Sequence, residues 1–94
     1  MNYVYILRSG RWEAQLYIGA SNNPQQRLIE HNQSKCRHTA RLGPWTMVYV
    51  EVFSEKKLAL KRERQLKGWS RGKKEALIAR NVLELKRLAK RREW

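Results

Sequence analysis

Tyr5, Tyr17, Arg27 and His31 have the types and the spacing to act together on a phosphodiester. Tyr5 lies in the strand-like run Tyr3-Val4-Tyr5-Ile6-Leu7, and Tyr17 in Leu16-Tyr17-Ile18-Gly19, a hairpin's length further on. Pairing of the two runs brings the phenols together. Arg27 and His31 are four residues apart, so a helix projects both from one face. Hydrolysing a phosphodiester requires a deprotonated water, neutralisation of charge on the phosphorus oxygens, and help for the departing alkoxide. Two phenols, a guanidinium and an imidazole supply groups for these tasks.

Tyr5 is the candidate general base, with Tyr17 beside it. A free tyrosine has a pKa near 10, so at pH 7 about one in a thousand is ionised, a penalty of roughly 4 kcal/mol. A cation within a few ångströms lowers such a pKa by about 1–3 units. Arg27, a bound metal and a hydrogen bond from Tyr17 are the available sources. The planar fork of Arg27 matches phosphate oxygens bidentately and stays charged at any working pH. His31 can hold a phosphate oxygen, relay a proton or orient a tyrosine. Each residue alone has a plainer reading as a packing tyrosine, a surface arginine or a structural histidine.

Glu63 is the one carboxylate in Lys61-Arg62-Glu63-Arg64. Helical spacing puts it one turn beyond Ala59 and three residues before Leu66, at the edge of a packing face. A lone acid so placed can bind one Mg²⁺ and leave several waters on it, or form a salt bridge to the neighbouring cations. Glu51 is a more distant alternative ligand. No His/Cys cluster has zinc spacing, and no glycine-rich phosphate loop is present. Lys67, Trp69, Arg71, Lys73 and Lys74 form a basic stretch suited to a phosphate backbone, with Trp69 either a core residue or a stacking platform. His38, Thr39 and Arg41 are further candidates for nucleic-acid contact. Cys36 reads as incidental.

The elements that must position these groups follow from local pattern. Strands are expected over about 2–8, 15–20 and 45–53, the last rich in β-branched and aromatic residues. Ser21-Asn22-Asn23-Pro24 starts a helix over about 24–32, with a capping side chain ahead of a proline at the first helical position. Asn32 reads as its end. Residues 34–44 read as a basic loop near the site. Ser54 is expected to cap a helix over about 55–68, with Gly68 as its stop. Ser70 caps another over about 71–79, and a last helix covers about 82–90 before a basic tail. The order β-β-α-β-α-α-α predicts an α+β fold, a three-stranded antiparallel sheet flanked by helices.

Ninety-four residues make a single domain, with its core over about 3–78 and a basic C-terminal helix and tail over 79–94. So short a chain buries only about 60–65% of its unfolded surface, and four tryptophans add apolar area. The single cysteine excludes an intrachain disulfide and fits a reducing cytoplasm. No signal-peptide run and no membrane-length segment stands out, which predicts a cytoplasmic protein without a membrane role. The net charge of +13 is uneven: residues 1–53 carry 6 basic and 3 acidic residues, and residues 54–94 carry 15 and 5. Such a field favours a polyanion, and nucleic acid is the commonest one.

Tyr3-Val4-Tyr5, Tyr17-Ile18-Gly19, Arg27 to Asn32 (RLIEHN), Gly43-Pro44-Trp45 and Ala59 to Arg71 (ALKRERQLKGWSR) come in an order and spacing that resembles the GIY-YIG nuclease family. The likeness runs from Tyr3 to about Ile78. The first element departs from Gly-Ile-Tyr in lacking the glycine, where the chemistry needs the tyrosine and the other positions need only form strand. The chain is similar to small stand-alone bacterial, UPF0213-like members, and to the catalytic domain of a structure-specific nuclease that cuts branched DNA. The resemblance implies a metal-dependent DNA endonuclease acting in repair or recombination. It places Glu63 where the family binds its one metal ion, Mg²⁺ or Mn²⁺. It assigns water activation to Tyr5 with Tyr17, phosphorane stabilisation to Arg27 and assistance to His31. Family members usually add a DNA-recognition domain for which this chain has no room, which implies cleavage that is weak, unspecific or dependent on a protein partner that supplies specificity. Two alternatives stand beside this reading. One is a binding module of the same fold that holds DNA or RNA without cutting. The other is a basic protein–protein or ribosome-associated module.

Overall fold

The computed structural model describes residues 1–33 and 40–80. His38, Thr39, Cys36 and the helix expected over about 82–90 lie outside them. Strands β1 (Asn2–Ser9), β2 (Leu16–Ser21) and β3 (Trp45–Phe53) form one antiparallel sheet in the order β2-β1-β3. Three helices complete the described fold: α1 (Pro24–Asn32), α2 (Lys56–Lys67) and α3, over residues 71–80. The expected α+β architecture and its element order β-β-α-β-α-α are present.

β1 is the centre because both its faces are apolar. Val4 and Ile6 point one way and join Ile18, Tyr49, Ala59, Leu66 and Ile78 in a core between the sheet and α2 and α3. Tyr5 and Leu7 point the other way and meet Trp45, with Tyr17, Leu28, Leu42 and Met47 packed around them. Alternation along a strand therefore divides the molecule into a helix-packed core and a tyrosine face covered by α1.

A bulge lets β3 serve both faces. Ile6 pairs with Tyr49 but Leu7 pairs with Met47, so Val48 is the extra residue and the side-chain parity of β3 reverses there. Trp45 and Met47 consequently reach the tyrosine face, while Tyr49 turns into the opposite core.

Helix starts follow local chemistry with one exception. Asn23 caps α1 by accepting the Gln26 amide at 3.2 Å, and Pro24 occupies the first turn. The Ser70 hydroxyl accepts the Lys73 amide at 3.3 Å at the start of α3. Ser54 does not cap α2: the helix begins one residue later than expected, the cap position falls on Glu55, and Glu55 makes no side-chain cap bond. Gly68 does end α2, in the ordinary right-handed region (φ −83°) rather than through a left-handed turn. The β1–β2 loop is tied to the approach to β3. The buried Ser9 hydroxyl donates to the Leu42 carbonyl at 2.5 Å and accepts the Arg11 and Trp12 amides at 3.0 Å each. Among the described residues no helix is long and apolar enough to cross a membrane.

Candidate active site

The register of β1 and β2 places the two phenols. Tyr5 faces Gly19 and Leu7 faces Tyr17, so the tyrosines share a sheet face two positions out of step. Their ring centroids are 6.4 Å apart and tilted by 38°. Gly19 makes this possible, because a Cβ there would lie 2.5 Å from the Tyr5 hydroxyl oxygen and 2.6 Å from its Cζ. The phenol of Tyr5 lies across the bare backbone of β2 and is 1% exposed. Tyr17 is only half-buried and is the more exposed tyrosine of the pair.

α1 brings the next groups. The His31 ring sits 4.6 Å from that of Tyr17 and is 1% exposed. The Trp45 indole meets Tyr17 edge-on from β3 at 6.3 Å. Burial pushes the His31 pKa below its ordinary value, the positive charge of Arg27 pushes the same way, and Glu30 opposes them weakly. His31 is therefore a neutral imidazole at pH 7. One turn back, Arg27 donates from Nη1 to Glu30 Oε1 at 2.6 Å along the same helix. Asn32 fastens the end of α1 to the start of β3: its Nδ2 donates to the Trp45 carbonyl at 3.1 Å, and its Oδ1 accepts the Trp45 amide at 2.5 Å.

Glu63 is not brought into this cluster by any contact among the described residues. It stands on α2, whose Ala59 and Leu66 pack against the opposite sheet face. The two layers approach each other at the edge of β2, where Arg27 and Ala59 line the same cleft, and Glu63 follows Ala59 by one turn. The Glu63 carboxylate pairs with Lys67 at 3.1 Å, and Lys67 is 56% exposed. Glu51 is differently placed. Both its oxygens accept from Arg62 at 3.0 Å, and Tyr49 donates its hydroxyl to Oε2 as well. Tyr49, raised to about 12 by burial and by this carboxylate, stays a donor. Of the two acids Glu63 suits a cation better, since an exposed lysine is easily displaced whereas the Glu51 network holds β3 to α2. No group of three or more His, Cys, Asp or Glu side chains converges on one point among the described residues. A divalent ion held here would rest on one carboxylate and keep most of its waters, as Mg²⁺ does.

The expected nucleic-acid contacts in the second half form an exposed rim. Lys67, Arg71 and Lys73 are exposed, and Lys74 is half-buried. Trp69 packs against the core, with Arg62 5.2 Å and Lys73 5.7 Å from its ring centroid. Its own cations therefore compete with any base for that ring. Arg41 is exposed on the turn before β3, its carbonyl accepting from Arg11 at 3.4 Å. Gly19, Asn32, Trp45 and Glu30 shape the site without having been singled out for it by residue type. A glycine inside a strand was the available signal for the first, marking a close approach.

Residues 1–76 match the family model described as the GIY-YIG catalytic domain. A UPF0213 protein of Natronomonas pharaonis is 35% identical over 79 residues, which cover 83% of this chain and 91% of that protein. The chain is 42% identical over 65 residues to the protein named structure-specific endonuclease subunit SLX1 homolog of Giardia intestinalis, covering 65% of this chain but 18% of that protein. Among solved structures, the solution structure of a UPF0213 protein from Bacillus halodurans superimposes with a TM-score of 0.54 at 33% identity. That match covers 84% of each chain.

Proposed function

The chain belongs to the GIY-YIG catalytic-domain family, and from that we propose that it is a metal-dependent DNA endonuclease that hydrolyses phosphodiester bonds in repair or recombination. The observation that carries this reading is the convergence of Tyr5, Tyr17 and His31 on one sheet face, with Arg27 one turn before His31 on α1 and close enough for its charge to act on that imidazole. Tyr5, expected as the general base, is 1% exposed, so the half-buried Tyr17 is the phenol that takes a proton from the attacking water, with Tyr5 behind it. The water oxygen bonds to phosphorus as the bond to the leaving strand breaks, and the departing alkoxide takes a proton from solvent, giving a phosphomonoester and a free hydroxyl. Arg27 neutralises the phosphoryl oxygens as charge builds on them. The neutral His31 orients Tyr17 and relays its proton. Glu63 would hold the divalent ion, Mg²⁺ or Mn²⁺, which when bound supplies Lewis-acid polarisation of the phosphoryl and leaving oxygens.

The similarity to a structure-specific endonuclease subunit supports branched DNA as the substrate and a protein partner as the source of specificity. One observation favours the alternative of a binding module: Arg27 and Glu63 are both neutralised within their own helices, by Glu30 and Lys67. A single experiment separates the two readings. End-labelled flap, fork and plain duplex DNA are incubated with the protein and Mg²⁺, alongside its Glu63→Ala variant. Cutting that the substitution abolishes, with binding retained, is expected. Equal binding by both proteins with no cutting of any substrate would replace the nuclease by the binding module.

A further inference from the structure

At the edge of β2 the two helical layers enclose a cleft of about 340 Å³. Arg27 reaches it from α1 on the tyrosine face, and Lys56 reaches it from the first turn of α2 on the other. Asn2, Ser21 and Asn22 add polar groups along the wall, and Leu60, 38% exposed, adds an apolar one. Both charged side chains among the described lining residues are cations. An arrangement that turns two positive groups from separate elements into one small concavity, beside amide and hydroxyl groups, is complementary to an anion. Its volume lies at the low end for small-ligand sites, which suits one nucleotide unit of a strand.

We propose that this cleft is a phosphate-binding subsite, in which Lys56 and Arg27 together grip a phosphodiester of the substrate strand while Leu60 lies against the sugar. The proposal rests on the reading of the protein as a nucleic-acid enzyme, and it adds Lys56 as a substrate-binding residue. Arg27 donates to Glu30 through Nη1, and Lys56 brings a second cation to the same concavity. Lys56 is exposed and contributes nothing to the core, so its replacement leaves the fold intact.

The test reads binding without cleavage. Amide correlation spectra of the full chain are recorded during titration with a 5′-phosphorylated thymidine dinucleotide. Shifts are expected to concentrate at Asn2, Ser21, Asn22 and Lys56 to Leu60. Lys56→Ala should weaken the affinity by about three- to tenfold, the size of one exposed charge-assisted contact, and Lys56→Arg should restore most of it. In the fork-cleavage assay Lys56→Ala should raise KM more than it lowers kcat. Shifts confined to other regions, undetectable binding, or equal affinity of natural and Lys56→Ala proteins would each overturn the subsite. Dinucleotide binding at the cleft in a protein that cuts no DNA would retain the subsite and remove the nuclease reading instead.

Discussion

His31 carries a consequence for stability that its chemistry alone does not suggest. Its imidazole is almost fully buried, and both that burial and the charge of Arg27 hold its pKa below the ordinary value near 6.5. In the unfolded chain the same ring takes up a proton as the pH falls through 6.5. In the folded protein it stays neutral until the pH reaches the lower value. The unfolded state then binds more protons, so this residue withdraws stability as pH drops through that window. One group changes stability by at most about 1.4 kcal/mol per pH unit. Urea unfolding at pH 7.5 and 5.5 should therefore show a larger loss for the natural protein than for His31→Gln, each compared with itself. His38 is present in both proteins and cancels. An identical loss in the two would mean that His31 is not held neutral by its surroundings. In the proposed mechanism the imidazole therefore relays a proton or donates one hydrogen bond at neutral pH, rather than serving as a second cation beside Arg27.

Elements with local signals were legible, and those set by tertiary partners were not. Asn23-Pro24 marked the start of α1 to the residue, and the β-branched run from Trp45 to Phe53 marked both ends of β3. The bulge at Val48 was hidden, because either parity of Trp45-Thr46-Met47-Val48-Tyr49 offers an apolar face, and only pairing with β1 shows where it switches. Four members of the candidate site were legible through helical and strand spacing, while Gly19 and Asn32 were not. Gly19 acts through the volume it lacks, and Asn32 through a backbone thirteen residues away. The same reasoning makes Asn32 a positioning residue, since it pins the helix bearing Arg27 and His31 to the strand bearing Trp45. Asn32→Ala removes a donor and an acceptor from the Trp45 peptide and should cost about 1–3 kcal/mol. That corresponds to a melting point lower by roughly 4–8 °C for each kcal/mol in a domain of this size. Asn32→Asp keeps the acceptor for the Trp45 amide and should lose less. Unchanged melting of Asn32→Ala would show that α1 is held by packing alone, and cleavage should then be unaffected as well.

Among the described residues, the tyrosine face and the outer face of α2 lie on different sides of the sheet. α2 buries Ala59 and Leu66 toward the sheet and exposes Lys57, Lys61 and Arg64, which follow each other at helical spacings of four and three. These three span about 10 Å along the helix axis, a length that can follow successive phosphates. The plainer account is a solvated face that keeps a small domain soluble. Salt dependence distinguishes them, because each phosphate neutralised by a cation releases counterions and adds about 0.9 to the slope of log affinity against log salt on duplex DNA. Replacing Lys57, Lys61 and Arg64 together by alanine should lower that slope by roughly two to three, measured between 50 and 200 mM salt on one forked substrate. Cleavage at saturating substrate should hardly change, since none of the three lies on the tyrosine face. An unaltered slope would assign this side of α2 to solubility and leave the holding of DNA to other surfaces, the rim of Lys67, Arg71, Lys73 and Lys74 and the edge of β2 among them.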